Sequence, residues 1–354
     1  MNFSGLPTYE KIINDLERKK RKRHLLLGNG FSMSYDPSIF SYNALSSFIE
    51  NTSDDLLKEL FSVINTKNFE AIMQELNNFV LIAKVFSSDS LLTDKIEQTQ
   101  KRLQHNLIDA VKTLHPDHVF RIPQEKSISC FSFLDRYLSN EGFVFSTNYD
   151  LLLYWVLMRN NTQNAIDGFG RELLNEPDEY TPDWEPEYST DLIWGKHREE
   201  QSIFYLHGAL PLFDTGIDII KEVYDGEYLL DNIKHRMNKN EYPVFVTAGN
   251  SKEKLQHIMH NQYLTYCYEK LCAISGSLIS FGFGFGENDD HIIDAINRAH
   301  KKPHDKRLWS VYIGVYNEND LNHVERIKAK FKCKVTPWNA RTVEIWKSNP
   351  KGEQ

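Results

Sequence analysis

Short runs of apolar residues that alternate with helical segments are the feature that most constrains the fold of this chain. Most intervals between the runs have the three- and four-residue apolar spacing of amphipathic helices. Near-continuous apolar strands separated by helices are typical of a mostly parallel sheet with helices on both faces. We therefore predict an α/β, Rossmann-like fold, with strands in the runs HLLLGN, FVFSTN, IFYLHG, VFVTAG, LISFGFG, LWSVYIGVY and TVEIW.

A long segment after the first apolar run interrupts this alternation. From Ala44 to about Leu114 the chain has helical spacing and almost no glycine. We predict a helical insertion over residues 44–138 within an α/β domain made of residues 1–43 and 139–354. The insertion is interpreted either as a lid or assembly surface, or as an inert addition packed on the sheet. Asp167 to Glu200, rich in Pro, Asp, Glu and Trp, is predicted to be a long surface loop.

Composition and charge exclude several classes of protein. The chain of 354 residues is 41% hydrophobic, enough for a large core, yet no apolar run approaches the roughly 20 residues of a membrane span. A net charge of −8 gives no general attraction to nucleic acid, and the basic run Glu17 to His24 is interpreted as a solvated helix end. The four cysteines contain no CxxC pair. We expect no membrane or nucleic-acid partner and a cytoplasmic location.

The segment GNGFS follows the first predicted strand. In an open parallel sheet, ligands bind outside the carboxyl ends of the strands. Gly28 and Gly30 have no Cβ, so the backbone there can approach a phosphate or a ribose. The alternative is a plain tight turn, because two glycines after a strand are also common there.

Polar residues and glycines follow three other predicted strands, and together they predict a shared polar cleft at one edge of the sheet. They are Ser146, Thr147, Asn148, Tyr149 and Asp150 after one strand, His207 after another, and Gly282, Gly284, Gly286 and the helix N-cap Asp289 after a third.

Each of these features also has a structural interpretation. In this interpretation, Asn148 or Asp150 caps the helix that starts near Leu151. His207 is a buried, hydrogen-bonded histidine. The glycines of residues 282–286 relieve crowding in a turn.

Taken in order, these motifs resemble those of the sirtuin-like superfamily. GNGFS is similar to its GAGxS phosphate loop, STNYD to its TQNxD motif, and LHG to its histidine and glycine, while YPVFVTAGN and LISFGFGF resemble two later strands. The resemblance runs from residue 28 to about residue 290. The CxxC pairs of the sirtuin zinc ribbon are missing between His207 and Pro243, and SMSYDP does not reproduce the PDFR segment. The chain therefore looks like the zinc-free sirtuin-like proteins of bacteria and phages, many of which are NAD+ hydrolases in anti-phage defence.

The resemblance implies NAD+ as substrate, no metal, and a role for each matched residue. Asn148 and His207 would be catalytic, with Asn148 orienting a ribose hydroxyl or a water and His207 accepting a proton. Asp150 would contact the carboxamide of nicotinamide. The expected cofactor-binding residues are Gly28, Asn29, Gly30, Phe31 and Ser32 at the pyrophosphate, Thr147 and Asp150 beside Asn148, and Gly282 and Gly284 beneath the adenosine half.

The main functional prediction is an NAD+ glycohydrolase that releases nicotinamide and ADP-ribose and is restrained until triggered. The restraint would come from a homo-oligomer or from a protein encoded by a neighbouring gene. The alternative is a module that binds NAD+ or ADP-ribose without turnover, and only the enzyme requires Asn148 and His207 together. The missing zinc ribbon disfavours a protein deacylase, and no substrate acid or base constellation supports an oxidoreductase.

Overall fold

The computed structural model describes residues 3–37, 54–64, 69–86, 90–160, 162–175, 182, 184–224, 226, 228–239, 241–246 and 250–347. Its strands are β1 (Arg23–Leu27), β2 (Val144–Ser146), β3 (Phe169–Leu173), β4 (Tyr188–Trp194), β5 (Ile203–Tyr205), β6 (Gly208–Asp214), β7 (Ile219–Lys221), β8 (Pro243–Phe245), β9 (Gly276–Phe281), β10 (Leu308–Val315) and β11 (Lys334–Asn339). Its α-helices are α1 (Tyr9–Arg18), α2 (Asn29–Met33), α3 (Asp55–Val63), α4 (Phe69–Phe86), α5 (Ser90–Leu114), α6 (Gln124–Leu138), α7 (Leu152–Asn160), α8 (Leu229–Asn238), α9 (Ser251–His260), α10 (Gln262–Leu271), α11 (Asp290–His300) and α12 (Glu318–Ile327).

The larger sheet has six strands in the order β11-β10-β9-β1-β2-β5. Every neighbouring pair in it is parallel. The chain runs outward from β1 through β2 to β5 and then returns to build β9, β10 and β11 on the other side, which is the strand order of doubly wound dinucleotide-binding folds. The predicted α/β fold with a mostly parallel, Rossmann-like sheet is confirmed.

Burial on both faces explains why the strands of this sheet are continuously apolar. Leu25, Leu26 and Leu27 of β1 are fully buried. Helix α6 packs against β1 and β2, whereas α10 contacts β5 and both α11 and α12 contact β10. The order in which strands are added to the sheet reverses between β1 and β9, so the crevice of this fold opens at the carboxyl ends of these two strands.

A second sheet is antiparallel, in the order β3-β4-β7-β6-β8. The predicted surface loop over Asp167 to Glu200 is wrong, because this segment holds β3 and β4, paired from Phe169 with Trp194. Strand β4 has no fully buried residue, so it lacks the apolar alternation that identifies a strand. The run VFVTAG also differs from expectation, because β8 pairs with β6 in this sheet, and residues 247–249 lie outside the described residues.

The prediction of a strand at TVEIW is also wrong. The last strand that the structure describes is β11 (Lys334–Asn339), which forms one edge of the larger sheet. Proline cannot donate to a sheet ladder, and β11 tolerates Pro337 since it is an edge strand. Trp346 instead packs its ring against Phe31 at 5.2 Å and donates from Nε1 to the carbonyl of Phe31. The apolar residues of TVEIW thus cover the first turn of the crevice.

The predicted insertion contains helices α3, α4 and α5, and residues 44–53, 65–68 and 87–89 of it lie outside the described residues. Helices α4 and α5 pack together, and α5 contacts α8. Helix α6, at the end of the predicted range, packs on the sheet as the crossover between β1 and β2. Among the described residues, no helix is both long and apolar enough to cross a membrane.

A buried histidine joins β1 to its surroundings. His24 is 1% exposed, its Nδ1 accepts the N–H of Phe143 at 3.0 Å, and its Nε2–H donates to the carbonyl of Ser275 at 2.9 Å. This pattern requires the neutral imidazole. Burial, reinforced by the nearby charge of Lys22, lowers the pKa of His24 to about 3.

We expect His24 to make the fold sensitive to acid. The unfolded chain takes up a proton at His24 near pH 6.5, whereas the folded chain does so only near pH 3, so this contribution is complete above pH 6.5 and is lost as the pH falls. The contribution of His24 to the free energy of unfolding should fall by about 1.4 kcal/mol per pH unit within that window. Urea titrations at pH 7, 6 and 5 measure the slope. His24→Gln, which keeps a donor and an acceptor but does not titrate, should show a slope shallower by that amount, and equal slopes would contradict this account.

Candidate functional site

The residues of the predicted cleft follow the carboxyl ends of neighbouring strands. In the register of the larger sheet, Ser146 of β2 lies between Leu27 of β1 and Tyr205 of β5. The N–H of Leu206 donates to the carbonyl of Ser146 at 2.8 Å, so the pairing continues past the strands. Ser146 and Tyr205 are paired in the sheet. Asn148 comes two residues after Ser146, and His207 comes two residues after Tyr205. They therefore occupy matching positions at the same edge of the sheet.

A chain of hydrogen bonds links the first two strand ends. Helix α2 begins directly after β1 and carries Ser32, which is fully buried. Asn148 donates from Nδ2 to Ser32 Oγ at 2.8 Å, and Ser32 Oγ donates to Asp150 Oδ2. Asp150 Oδ1 accepts the N–H of Leu152 at 2.9 Å, so Asp150 also caps α7. The cap interpretation thus holds for Asp150, while the side chain of Asn148 is held by Ser32.

The other half of the Asn148 amide is unusual. Asn148 is 7% exposed, and its Oδ1 has no hydrogen-bond partner among the residues that the structure describes. Buried polar atoms are nearly always paired in proteins. Among the described residues, four other buried side-chain atoms also lack a partner. Ser280 Oγ, Trp338 Nε1 and Arg23 Nε belong to strands, and Arg307 Nε lies directly before the start of β10. Asn148 Oδ1 lies beyond a strand end, and Ser32 fixes its orientation as an acceptor for a hydroxyl or a water.

Asp150 is held as an acceptor inside the site. Burial raises the pKa of its carboxyl, and the hydrogen bonds from Ser32 and from the backbone N–H of Leu152 act in the opposite direction. Each of its two oxygens accepts one of these hydrogen bonds, Oδ2 from Ser32 and Oδ1 from Leu152. Asp150 therefore orients Ser32, and through Ser32 it orients Asn148.

His207 is paired with a second histidine that the sequence analysis missed. The Nε2 atoms of His207 and His291 lie 2.9 Å apart, and the two side chains are 3% and 1% exposed. Burial lowers the pKa of His207 well below its usual value, and His291 and Lys254 lower it further. Burial also lowers the pKa of His291, to about 4. Both imidazoles are neutral near pH 7, and one Nε2–H donates to the other Nε2.

His291 lies in the first turn of α11, within the sequence DDHI. Its neighbour Asp289 has the backbone N-cap position that the sequence predicted, but its side chain makes no capping hydrogen bond. The carboxylate of Asp289 instead accepts from Lys254 Nζ at 2.9 Å. One ligand atom each from His207, Asp289 and His291 lie within 4.8 Å of one another. The sequence pattern indicated His207, after the run IFYLHG, and Asp289, after the glycines of residues 282–286, but it did not indicate His291.

The glycines that follow β1 pack against the turn that follows β9. A Cβ on Gly28 would lie 2.5 Å from Phe283 Cα, and one on Gly30 would lie 2.5 Å from Gly282 Cα. The N–H of Gly28 donates to Phe281 O at 3.1 Å, and the N–H of Gly30 donates to Gly282 O at 2.9 Å. The crowded-turn interpretation therefore accounts for these glycines. The two N–H groups bind carbonyls inside the protein, so the predicted phosphate cradle cannot use them in this conformation.

The other predicted cofactor-binding residues divide between the core and the surface. Phe31 is buried beneath Trp346. Thr147 donates from both its N–H and its Oγ1 to the carbonyl of Leu27, which ties β2 to β1. Asn29 contacts Met33 Sδ from Nδ2 at 3.3 Å and is half-buried. Gly284 is exposed, and a Cβ added there would meet no atom within 4 Å.

Comparison with known proteins yields one family. Residues 25–346 match the model of a family described as a domain of unknown function, DUF4917. The match begins in β1 and ends at Trp346, so it includes both sheets and every residue of the candidate site. No curated protein matches the chain.

The glycine contacts predict a sharp contrast between two substitutions. Gly28→Ala should lower the free energy of unfolding by about 1–3 kcal/mol, because its Cβ would clash with backbone atoms of the turn after β9. Gly284→Ala, the matched control in the same crevice, should change it by less than about 0.5 kcal/mol. Urea denaturation measures both. Equal stabilities for the two variants would show that the turns do not pack as described.

Proposed function

The chain belongs to the DUF4917 family of domains of unknown function, and we propose that it is an NAD+ glycohydrolase that releases nicotinamide and ADP-ribose. The observation that carries this proposal is the buried Oδ1 of Asn148, which has no hydrogen-bond partner among the described residues and which Ser32 and Asp150 orient at the carboxyl edge of the sheet. His207 occupies the matching position on the next strand end. An oriented acceptor and an imidazole at matching positions after neighbouring strands suit the activation of a hydroxyl or a water.

The strand order supports a dinucleotide as the ligand. In doubly wound sheets a dinucleotide lies across the carboxyl ends of the strands where their order reverses, here between β1 and β9. Gly284 follows β9 and has open space on its Cβ side, so the adenosine half can approach the backbone there. The nicotinamide half would then extend toward Asn148 and His207.

The proposed chemistry needs a positioned water and a base. The bond between ribose C1′ and the nicotinamide nitrogen breaks with its electron pair leaving on nicotinamide, and the water oxygen bonds to C1′ of the cation-like sugar. Asn148 Oδ1 accepts a hydrogen bond from the water or a ribose hydroxyl and so fixes its position. The water loses a proton to a ring nitrogen of His207. NAD+ enters as the substrate, and this scheme uses no metal.

Asp150 takes a different part in this proposal from the one that the resemblance implied. Its oxygens accept from Ser32 and Leu152, so we assign it to orient Ser32 and Asn148 rather than to contact the carboxamide. It is a positioning residue. Ser32, which accepts from Asn148 while donating to Asp150, transmits that orientation.

The setting of the reaction is proposed on the resemblance to sirtuin-like effectors. A cytoplasmic NAD+ hydrolase must be restrained, and we assign the restraint to a homo-oligomer or to a protein encoded by a neighbouring gene, released during phage infection. Helices α3, α4 and α5 are the proposed assembly surface or lid. The four cysteines are free thiols, as expected of a protein in a reducing compartment.

Nicotinamide release from NAD+ by the purified chain, over a wide range of protein concentration, tests the proposal. Asn148→Ala should lower kcat at least about 100-fold because the oriented acceptor is lost. His207→Ala should lower it about 100-fold or more because the base is lost. Asn164→Ala, an exposed asparagine, and His260→Ala, an exposed histidine, are the matched controls and should keep full activity.

Binding of ADP-ribose, measured by calorimetry, separates a lost catalyst from a lost fold. Both inactive variants should still bind it. Binding without any nicotinamide release by the native chain at all concentrations would overturn the hydrolase and favour the NAD+ or ADP-ribose sensor. Absence of binding would overturn both.

A further inference from the structure

We infer that His207, His291 and Asp289 form a binding site for one divalent transition-metal ion of the zinc class. The three residues come from two different parts of the chain. His207 follows β5, whereas Asp289 and His291 lie at the start of α11. The hydrolase proposal uses His207 alone of the three, so this site goes beyond that proposal.

The geometry of the cluster suits a single small ion. Its ligand atoms, one from each residue, all lie within 4.8 Å of one another. The two Nε2 atoms are 2.9 Å apart. Nitrogens that each lie about 2.1 Å from one zinc ion are separated by about 3.0 Å at a right angle and by about 3.4 Å at the tetrahedral angle. A slight parting of the rings is enough to admit the ion between them.

The chemistry of the ligands selects the class of ion. Imidazole nitrogen suits zinc, copper, nickel and cobalt, whereas magnesium and calcium require oxygen ligands. Metals bind the neutral imidazole, and both histidines are buried away from solvent. Two imidazoles and one carboxylate leave a fourth position for water or substrate, as in zinc sites that are not purely structural.

Ser251 contacts His291 on the side of the ring away from His207. Its Oγ accepts the backbone N–H of His291 at 2.6 Å and lies 3.4 Å from Nδ1 of the same ring. Metal-bound histidines usually contact a polar group through their second nitrogen, which fixes the ring. In the pair, one Nε2–H faces the other Nε2. When the ion binds, that proton moves to Nδ1 of its own ring, so both lone pairs face the metal.

The positive charge of Lys254 lowers the affinity of the site for a cation. Lys254 Nζ lies 2.9 Å from Asp289 Oδ1, and its ammonium charge repels a cation nearby. Both Lys254 and Asp289 are largely shielded from solvent, so this repulsion is poorly screened. Lys254 thus offers a substitution that should strengthen binding, which a purely structural role of the cluster would not produce.

One consequence rests on the proposed function. An ion held by Nε2 of His207 takes a lone pair of the imidazole that accepts the proton in the proposed hydrolysis. Zinc-class ions would then inhibit the reaction.

Titration of the metal-free chain with Co2+, followed by visible absorption and reversed by Zn2+, tests the site without NAD+. The native chain should bind one Co2+ with the ligand-field bands of a four- or five-coordinate nitrogen and oxygen site. His291→Ala and Asp289→Asn should each weaken binding at least about tenfold. Lys254→Met should tighten it severalfold. His260→Ala removes an exposed histidine from α9 and should leave the spectrum and the affinity unchanged.

Other results would overturn the site. If the native chain binds Co2+ no better than His291→Ala does, or if His260→Ala removes the bands, the cluster is not the ligand set. Circular dichroism of each variant in metal-free buffer checks the fold. Should His291→Ala fail to fold, the opposite shifts expected for Asp289→Asn and Lys254→Met still decide the matter, and no shift in either would contradict the inference. Because the readout is metal binding, its failure is distinct from a failure of the hydrolase.

Discussion

The close approach of two turns, one after β1 and one after β9, is the contact on which the site depends. Gly28 and Gly30 lie so near Gly282 that a side chain at either position would overlap backbone atoms. This contact seats α2 directly on the sheet, which brings Ser32 to Asn148. The strand order places β1 beside both β9 and β2. The backbone packing between the turns after β1 and β9 therefore orients the side-chain amide of Asn148, which follows the neighbouring strand β2.

Buried polar groups distinguish this edge of the sheet from the rest of the core. Burying such groups costs free energy unless each finds a partner. Most of those at the site are paired, as in the hydrogen bonds from Asn148 through Ser32 to Asp150. Two features stand apart. One is Asn148 Oδ1, which has no partner in the described part of the chain, and the other is the pair of neutral imidazoles of His207 and His291. The proposed hydrolase uses the first, the inferred metal site uses the second, and His207 belongs to both.

Local patterns predicted the elements that are buried on one clear face or on both. The three buried leucines that end β1 form the apolar run from which this strand was predicted. Prediction failed where burial is partial. Strand β4 is a strand because β3 and β7 pair with it, not because of its own pattern. The apolar residues of TVEIW fill space beside Phe31 rather than a sheet, which depends on a contact between residues 31 and 346.

The sequence by itself determined the class of sheet and the polar character of its strand ends, because apolar periodicity and the residues that stop a strand are local properties. It also placed Asn148 and His207 at one edge, since parallel strands share the direction of their carboxyl ends. Only the tertiary structure decided which groups touch. Ser32 meets Asn148 across 116 residues and His207 meets His291 across 84. Such contacts depend on strand order and on the path of the connections, which no short stretch of sequence encodes.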